Sequence, residues 1–302
     1  MIISASRRSD IPAFYTPWFM NRLRLGWCSV PNPFNPLQVS EVSLRPEDVD
    51  VFVFWTRSAL PLFPHLKELE QRGYRFYFLV TLMDNPREMD ARCPSLTTAV
   101  RTFRTLADRI GPEKVIWRYD PIVLSPLTDP DFHKRVFGQI AGRLQGYTQR
   151  CIVSMMHPYR KVKRRLTEEG IALTPWEEKD LDDLMPSLAK EAGERGMKIS
   201  SCASPLDLER YGIHRGKCVD DAYIRRVFGI EVTHRKDPSQ REACGCVVSK
   251  DIGMYDTCLY GCAYCYATNR FEKAEENYRR HIPDASSLVP LQSPAVETGR
   301  IG

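Results

Sequence analysis

The sequence predicts an α/β protein: a TIM-like (β/α) barrel, or a partial (β/α)6 barrel, followed by a C-terminal cysteine-rich segment that binds a metal or a cluster. Three observations carry this expectation. Short apolar runs, Val51-Phe52-Val53-Phe54 and Phe76-Tyr77-Phe78-Leu79-Val80 foremost, read as parallel strands covered on both faces. Amphipathic helical stretches alternate with them, as crossovers between parallel strands require. Seven of the ten cysteines fall between residues 202 and 265.

In chain order, the strands are expected at Ile2–Ala5, Asp50–Phe54, Arg75–Thr81, Lys114–Arg118, Cys151–Met155 and Lys198–Ser201. The helices are expected at Pro61–Arg72, Leu96–Ile110, Pro130–Leu144 and Trp176–Arg195, with Gly73, Gly111, Gly146 and Gly196 at their C-terminal caps. Periodicity also admits a doubly wound open sheet as the rival architecture. Gly26–Leu44 breaks the rhythm with prolines and reads as an inserted loop or small hairpin. After Cys202 the chain turns irregular, with short helices expected near Leu206–Tyr211 and Asp220–Phe228. The expected division is therefore 1–201 as the barrel core, 202–282 as the cysteine-rich segment packed on it, and 283–302 as a disordered tail rich in Pro and Ser.

The 302 residues, 43% of them hydrophobic, are enough for a sizeable core. No apolar run reaches the roughly 18 residues a membrane span needs, and Arg7-Arg8 is not followed by a signal-type apolar stretch. The expected location is cytoplasmic, with no membrane partner. A net charge of +5 suits an anionic substrate, small or nucleic-acid-related, and equally suits an ordinary solvated surface. Walker-type, Gly-x-Gly-x-x-Gly and Gly-x-Ser-x-Gly motifs do not occur.

Without an export signal, clustered cysteines favour metal over disulfides. Cys28, Cys93 and Cys151 lie among apolar neighbours and read as buried structural thiols. Cys258, Cys262 and Cys265 form a C-x3-C-x2-C run. Three thiolates so close together can hold a [4Fe-4S] cube by three irons and leave one iron open for a ligand. A zinc knuckle, or a cluster with another role, is the competing reading of that spacing. Cys202, Cys218, Cys244 and Cys246 supply the four thiolates of a second site, either tetrahedral zinc or an auxiliary [4Fe-4S] cluster, with Gly245 letting the paired sulfurs face one ion.

The run Cys258-Leu-Tyr-Gly-Cys262-Ala-Tyr-Cys265 resembles the signature of the radical S-adenosylmethionine (SAM) enzymes. That resemblance implies SAM on the open iron, release of a 5′-deoxyadenosyl radical and an electron donor such as flavodoxin or ferredoxin. It also implies that Tyr264 packs beside the cluster and the adenine, while Gly261 lets the loop turn tightly. More closely, the chain resembles the family called domain of unknown function 1848. The likeness rests on Ile3-Ser-Ala-Ser-Arg-Arg-Ser-Asp10, Asn32-Pro-Phe-Asn-Pro36, Val53-Phe-Trp-Thr56, Trp117-Arg-Tyr-Asp-Pro121 and Cys244-Gly-Cys246 leading to Lys250-Asp-Ile-Gly-Met-Tyr-Asp-Thr-Cys258. Two departures from the common radical-SAM pattern stand out: the cysteine loop follows the last strand rather than the first, and no Gly-Gly-Glu run occurs.

Side chains at the carboxyl ends of barrel strands line active sites. Here those ends carry Arg7, Arg8 and Asp10, then Arg57, then Arg118 and Asp120, then His157. These residues are the candidate catalytic groups, the arginines as clamps for a carboxylate or phosphate. Pairing of Arg118 with Asp120 and of Arg8 with Asp10 would make them rim structure instead. The run Arg160-Lys-Val-Lys-Arg-Arg165 reads as a solvated helix face or a phosphate contact. The leading expectation is a radical SAM enzyme of unknown reaction. Its rival is a non-catalytic nucleic-acid-binding protein held together by zinc or iron–sulfur. A third reading is a barrel enzyme with structural metal, using Arg118, Asp120 and His157.

Overall fold

The computed structural model describes residues 1–204 and 206–291. Strand β1 (Ile2–Ala5) leads through helices α1 (Ile11–Phe14) and α2 (Thr16–Leu25) to an antiparallel hairpin, β2 (Trp27–Asn32) and β3 (Asn35–Ser43). The hairpin is one of the two forms expected for this insertion. It is entered through Gly26, whose φ of 79° closes α2 in the left-handed region. Then follow β4 (Val51–Thr56), a 3-10 turn (Leu60–His65) with α3 (Leu66–Gln71), β5 (Phe76–Thr81), α4 (Leu96–Ile110), β6 (Val115–Ile122), α5 (Pro130–Leu144) and β7 (Arg150–Met155). Helices α6 (Arg160–Glu168) and α7 (Glu178–Gly193) precede β8 (Lys198–Cys202), β9 (His214–Gly216), α8 (Asp221–Phe228), β10 (Lys250–Asp251) and α9 (Phe271–Arg280).

The strands form one eight-stranded sheet in the order β10-β1-β4-β5-β6-β7-β8-β9, every pair parallel. All six expected strands are present. The order is open: among the described residues no ladder joins β9 to β10, so the sheet is a large parallel α/β sheet and not a closed barrel. Nor does it end at the expected boundary of residue 201, because β9 and β10 come from the cysteine-rich segment and extend the sheet at both edges.

Alternate residues of each strand serve two layers. Phe52, Phe54, Phe76, Phe78, Trp117 and Val153 face a core shared with Trp18, Phe103, Phe137 and Leu184 of the long helices. Their neighbours Val51, Val53, Tyr77, Leu79, Ile116 and Ile152 face a second layer holding Val219, Tyr223, Ile224 and Val247. That double burial is why the strands read as continuous apolar runs. Each fully buried Phe contributes roughly 1.5–3 kcal/mol. Ser95 caps α4 by accepting from Thr98 N, and Asp129 caps α5 by accepting from Phe132 N, which fixes two of the helix starts the sequence predicted.

The expected disordered tail begins differently. Trp18 Nε1 donates to Ala285 O at 3.0 Å and Ser29 N donates to Ser286 O at 2.8 Å. Leu288 and Val289 are buried. This segment is thus held against α2 and the hairpin, where its carbonyls accept from Trp18 Nε1 and Ser29 N. The rest of the expected tail, 292–302, lies outside the described residues. Among the described residues, no helix is long and apolar enough to cross a membrane.

Candidate functional site

A cavity of about 860 Å³ opens at the carboxyl ends of the strands. Its lining includes Arg7, Arg8, Asp10, Arg57, Arg118, Asp120 and His157, the strand-end residues singled out in the sequence. It also includes seven cysteines, Cys202, Cys218, Cys244 and Cys246 together with Cys258, Cys262 and Cys265. Both sulfur sets therefore border one space, although they lie far from most of the other lining residues in sequence.

The charged groups are individually anchored. Arg8 Nε pairs with Asp251 Oδ1 at 3.1 Å, where the alternative rim reading paired it with Asp10. Asp251 also accepts from Ser4 Oγ, Ser6 Oγ and Arg7 N, each at 2.7 Å. Burial opposes ionisation of Asp251, but Arg8 and Arg7 outweigh it and hold the carboxyl below its ordinary range. Gly253 is required beside this knot, because a Cβ there would overlap Ser6 Oγ. Arg7 stands 4.9 Å above the Trp55 ring and donates to Ser249 Oγ at 3.1 Å. Arg118 pairs with Asp120 as the rim reading anticipated. His157 is exposed and stacks edge-on against Tyr159 at 4.4 Å.

Asp10 turns toward β4 instead. It accepts from Thr56 Oγ1 and Arg57 N, each at 2.7 Å, and from Ala13 N at 3.0 Å, capping α1. Burial pushes its carboxyl up to about 7, against those hydrogen bonds.

The cysteine loop is pinned from two sides. Along one edge Ala263 N donates to Met89 O at 2.8 Å and Arg92 N to Tyr260 O at 3.1 Å, with a bridge between Asp90 and Cys262. Asp90 accepts from Tyr264 OH at 2.6 Å, Arg57 Nη2 at 3.2 Å and Asn85 Nδ2 at 3.1 Å. On the other side α6 inserts Arg165, whose Nη1 donates to the carbonyls of Ala263 at 3.1 Å and Cys265 at 3.0 Å. The basic run thus contributes Arg165 and Val162 to the interior, and only part of it faces solvent. Gly261 adopts φ 67°, the tight left-handed turn the sequence implied.

Cys93 needs a correction. It is buried, as expected, but its Sγ lies 3.7 Å from Cys262 Sγ, beside the candidate cluster loop. With Asp90 it makes a compact group of ligand-type atoms, all within 4.8 Å. Asp90, Cys93, Arg165 and Asp251 are the site residues that sequence reasoning missed. Asp251 lay inside a motif already noted. Arg165 was hidden in a run that looked solvated, and nothing local distinguishes Cys93 from Cys151.

The second set converges more tightly. Cys218 Sγ and Cys202 Sγ are 3.3 Å apart, and Cys246 joins them with all three sulfurs within 4.8 Å. Cys244 borders the same cavity but stands outside that trio. Cys246 Sγ also accepts from Val219 N at 3.4 Å.

The family model described as Domain of unknown function (DUF1848) fits residues 2–267 of this chain. The chain belongs to that family. The DUF1848 match spans the whole sheet and both cysteine sets, and α9 lies beyond its C-terminal end. No protein of curated function matches. Among solved structures, one described as an alpha-L-fucosidase from Bacteroides thetaiotaomicron VPI-5482 is 9% identical, with 78% of this chain and 85% of that chain covered and a TM-score of 0.29. A citronellol catabolism dehydrogenase (AtuB) of Pseudomonas aeruginosa PAO1 is 11% identical over 88% and 95% of the two chains, with a TM-score of 0.23. At such scores neither likeness bears on the activity of this DUF1848 protein.

Proposed function

We propose that this DUF1848 protein is a radical SAM-type iron–sulfur enzyme acting on an anionic substrate that is not yet identified. The observation that carries the reading is the meeting of Cys258, Cys262 and Cys265 with the strand-end charges around one cavity. The donor set fits the group: three thiols come from a single pinned loop and border open space, which suits a [4Fe-4S] cube held at three corners. When bound, that cluster and SAM supply one-electron cleavage of a sulfonium and a hydrogen-abstracting 5′-deoxyadenosyl radical.

The chain's own residues do the rest. Arg165 and the 89–92 segment fix the loop so that its sulfurs keep their spacing. Arg7, held over Trp55, and Arg8, held by Asp251, present guanidinium groups suited to carboxylates of the cofactor or substrate. Asp10, pushed up to about 7, holds or gives up a proton near neutrality beside that space. An external donor such as flavodoxin or ferredoxin would deliver the electron.

The test is anaerobic reconstitution with iron and sulfide, followed by dithionite and SAM. The expected result is about four irons per chain bound through the loop, loss of that iron in Cys258→Ser, Cys262→Ser and Cys265→Ser, and release of 5′-deoxyadenosine. A fully loaded cluster that leaves SAM intact would overturn the reading.

A further inference from the structure

The four cysteines outside the 258–265 loop come from distant places. Cys202 ends β8, Cys218 follows β9, and Cys244 and Cys246 flank Gly245 in the loop before β10. All four are unbridged thiols. Their separations discriminate between the two groups four thiolates can hold. A tetrahedral ion with Zn–S bonds of about 2.3 Å sets its ligand sulfurs ~3.8 Å apart, since a tetrahedron's edge is ~1.6 times its radius. The sulfurs of Cys202 and Cys218 stand 3.3 Å apart and those of all three, with Cys246, lie within 4.8 Å of one another, a spacing on the scale of that edge. A cube carries each thiolate on a separate iron corner, so its outer sulfurs stand well apart and would not fit this space.

A second, independent observation concerns charge. Four thiolates around a divalent ion leave two excess negative charges. Two guanidinium groups, those of Arg7 and Arg118, line the same cavity as these four cysteines. Arg7 Nη2 and Arg118 Nε are both buried, and neither has a hydrogen-bond partner among the described residues. Buried donors left unpaired are costly unless a charge nearby compensates them. In addition Val219 N donates to Cys246 Sγ at 3.4 Å, a contact that favours the thiolate.

We propose that Cys202, Cys218, Cys244 and Cys246 bind a single zinc ion, a centre separate from the Cys258 loop, and that Arg7 and Arg118 balance its excess charge. Cys244, the one member outside the tightest trio, is its loosest corner. The ion fastens the layer containing α8 to the end of β8 and so builds one wall of the cavity. The centre stands apart from the radical SAM reading and does not need it.

The experiment uses full-length protein purified without oxygen, with zinc, iron and sulfide measured per chain. About one zinc per chain is expected, retained in the triple variant Cys258→Ser/Cys262→Ser/Cys265→Ser, which loses loop iron. Cys246→Ser should remove the zinc. Where that variant fails to fold, cobalt exchanged into the unaltered chain should show the absorption of a tetrahedral four-thiolate ion. Arg7→Gln and Arg118→Gln should each weaken zinc retention against a chelator by ~10–100-fold, as loss of an outer partner does. Iron and sulfide in place of zinc in the triple variant would overturn the single-ion centre, as would folded chain free of metal. Unchanged zinc retention in both arginine variants would overturn the charge balance. Zinc present with an inactive loop would sink only the SAM reading.

Discussion

Arg165 Nη1 donates to the main-chain carbonyl of Cys265 at 3.0 Å, so a residue of the most basic stretch in the chain clasps the cysteine loop from inside. The same nitrogen reaches the carbonyls of Cys262 at 3.3 Å and Ala263 at 3.1 Å, and Nη2 donates to Thr268 O. The guanidinium also lies 4.8 Å from the Phe271 ring. A lysine offers one point charge where this geometry uses a planar fork.

Arg165→Ala leaves buried carbonyls unpaired and should cost about 3 kcal/mol, since hydrogen bonds to a charged group contribute roughly 1.5–3 kcal/mol. Denaturant midpoints and iron bound after reconstitution both report it, and Arg165→Lys should recover only part of each. A midpoint unmoved in Arg165→Ala would show that the loop holds its shape without the clasp.

The proximity of Cys93 to Cys262 makes a separate demand. If three sulfurs hold the cluster, Cys93→Ser keeps the loop iron while Cys262→Ser loses it. Equal loss in the two variants would make Cys93 a fourth ligand and close the corner that SAM requires.

His133 gives a pH dependence. Its Nε2 faces the Val123 carbonyl at 3.0 Å and its Nδ1 lies 2.8 Å from Tyr119 OH, an arrangement that suits a neutral ring with its proton on Nε2. Burial pushes its pKa down to about 4. Between there and the ordinary 6.5 the unfolded chain binds more protons, so the folded state gains stability as pH rises and loses about 3 kcal/mol as pH falls through that window. Asp10, raised to about 7, acts with the opposite sign over an overlapping range. Thermal midpoints of His133→Gln should therefore slope less steeply between pH 4 and 6.5 than those of the unaltered chain. Identical slopes would contradict the assignment.

Gly253→Ala should distort the Asp251 knot, because the added methyl overlaps Ser6 Oγ, whose position three hydrogen bonds fix. The expected cost is of the order of 1–3 kcal/mol, with weakened binding of any carboxylate ligand that uses Arg8. A variant as stable as the parent would mean that Ser6 can rotate away freely.

Removal of residues 283–302 tests the packed terminal segment. Leu288 and Val289 become absent from the core and Trp18 Nε1 loses Ala285 O. Burial of two aliphatic side chains, with the hydrogen bonds that Trp18, Ser29 and Arg22 make to this segment, predicts a loss of at least ~3–5 kcal/mol in unfolding experiments. A truncated chain of equal stability would assign that segment no structural role.

Most of the sheet was legible because parallel strands buried on both faces leave continuous apolar runs, and the ends of α4 and α5 were marked by Gly111 and Gly146. Strands β9 and β10 were not legible. At three and two residues they are too short for any period, and only pairing with β8 and β1 makes them strands. The packed part of the tail was missed because Pro and Ser content says nothing about which carbonyls Trp18 and Arg22 need.

For the site, the sequence alone determined the donor chemistry: three thiols at close spacing, four more within 45 residues, and charged groups after successive strands. Spacing along the chain fixes what neighbouring residues can share, so those features carried over. Only the tertiary structure decided that Cys93 meets Cys262, that Arg8 chooses Asp251 over Asp10, and that both sulfur sets border one cavity. Contacts between segments more than a hundred residues apart depend on how the layers pack, and no local pattern encodes that distance.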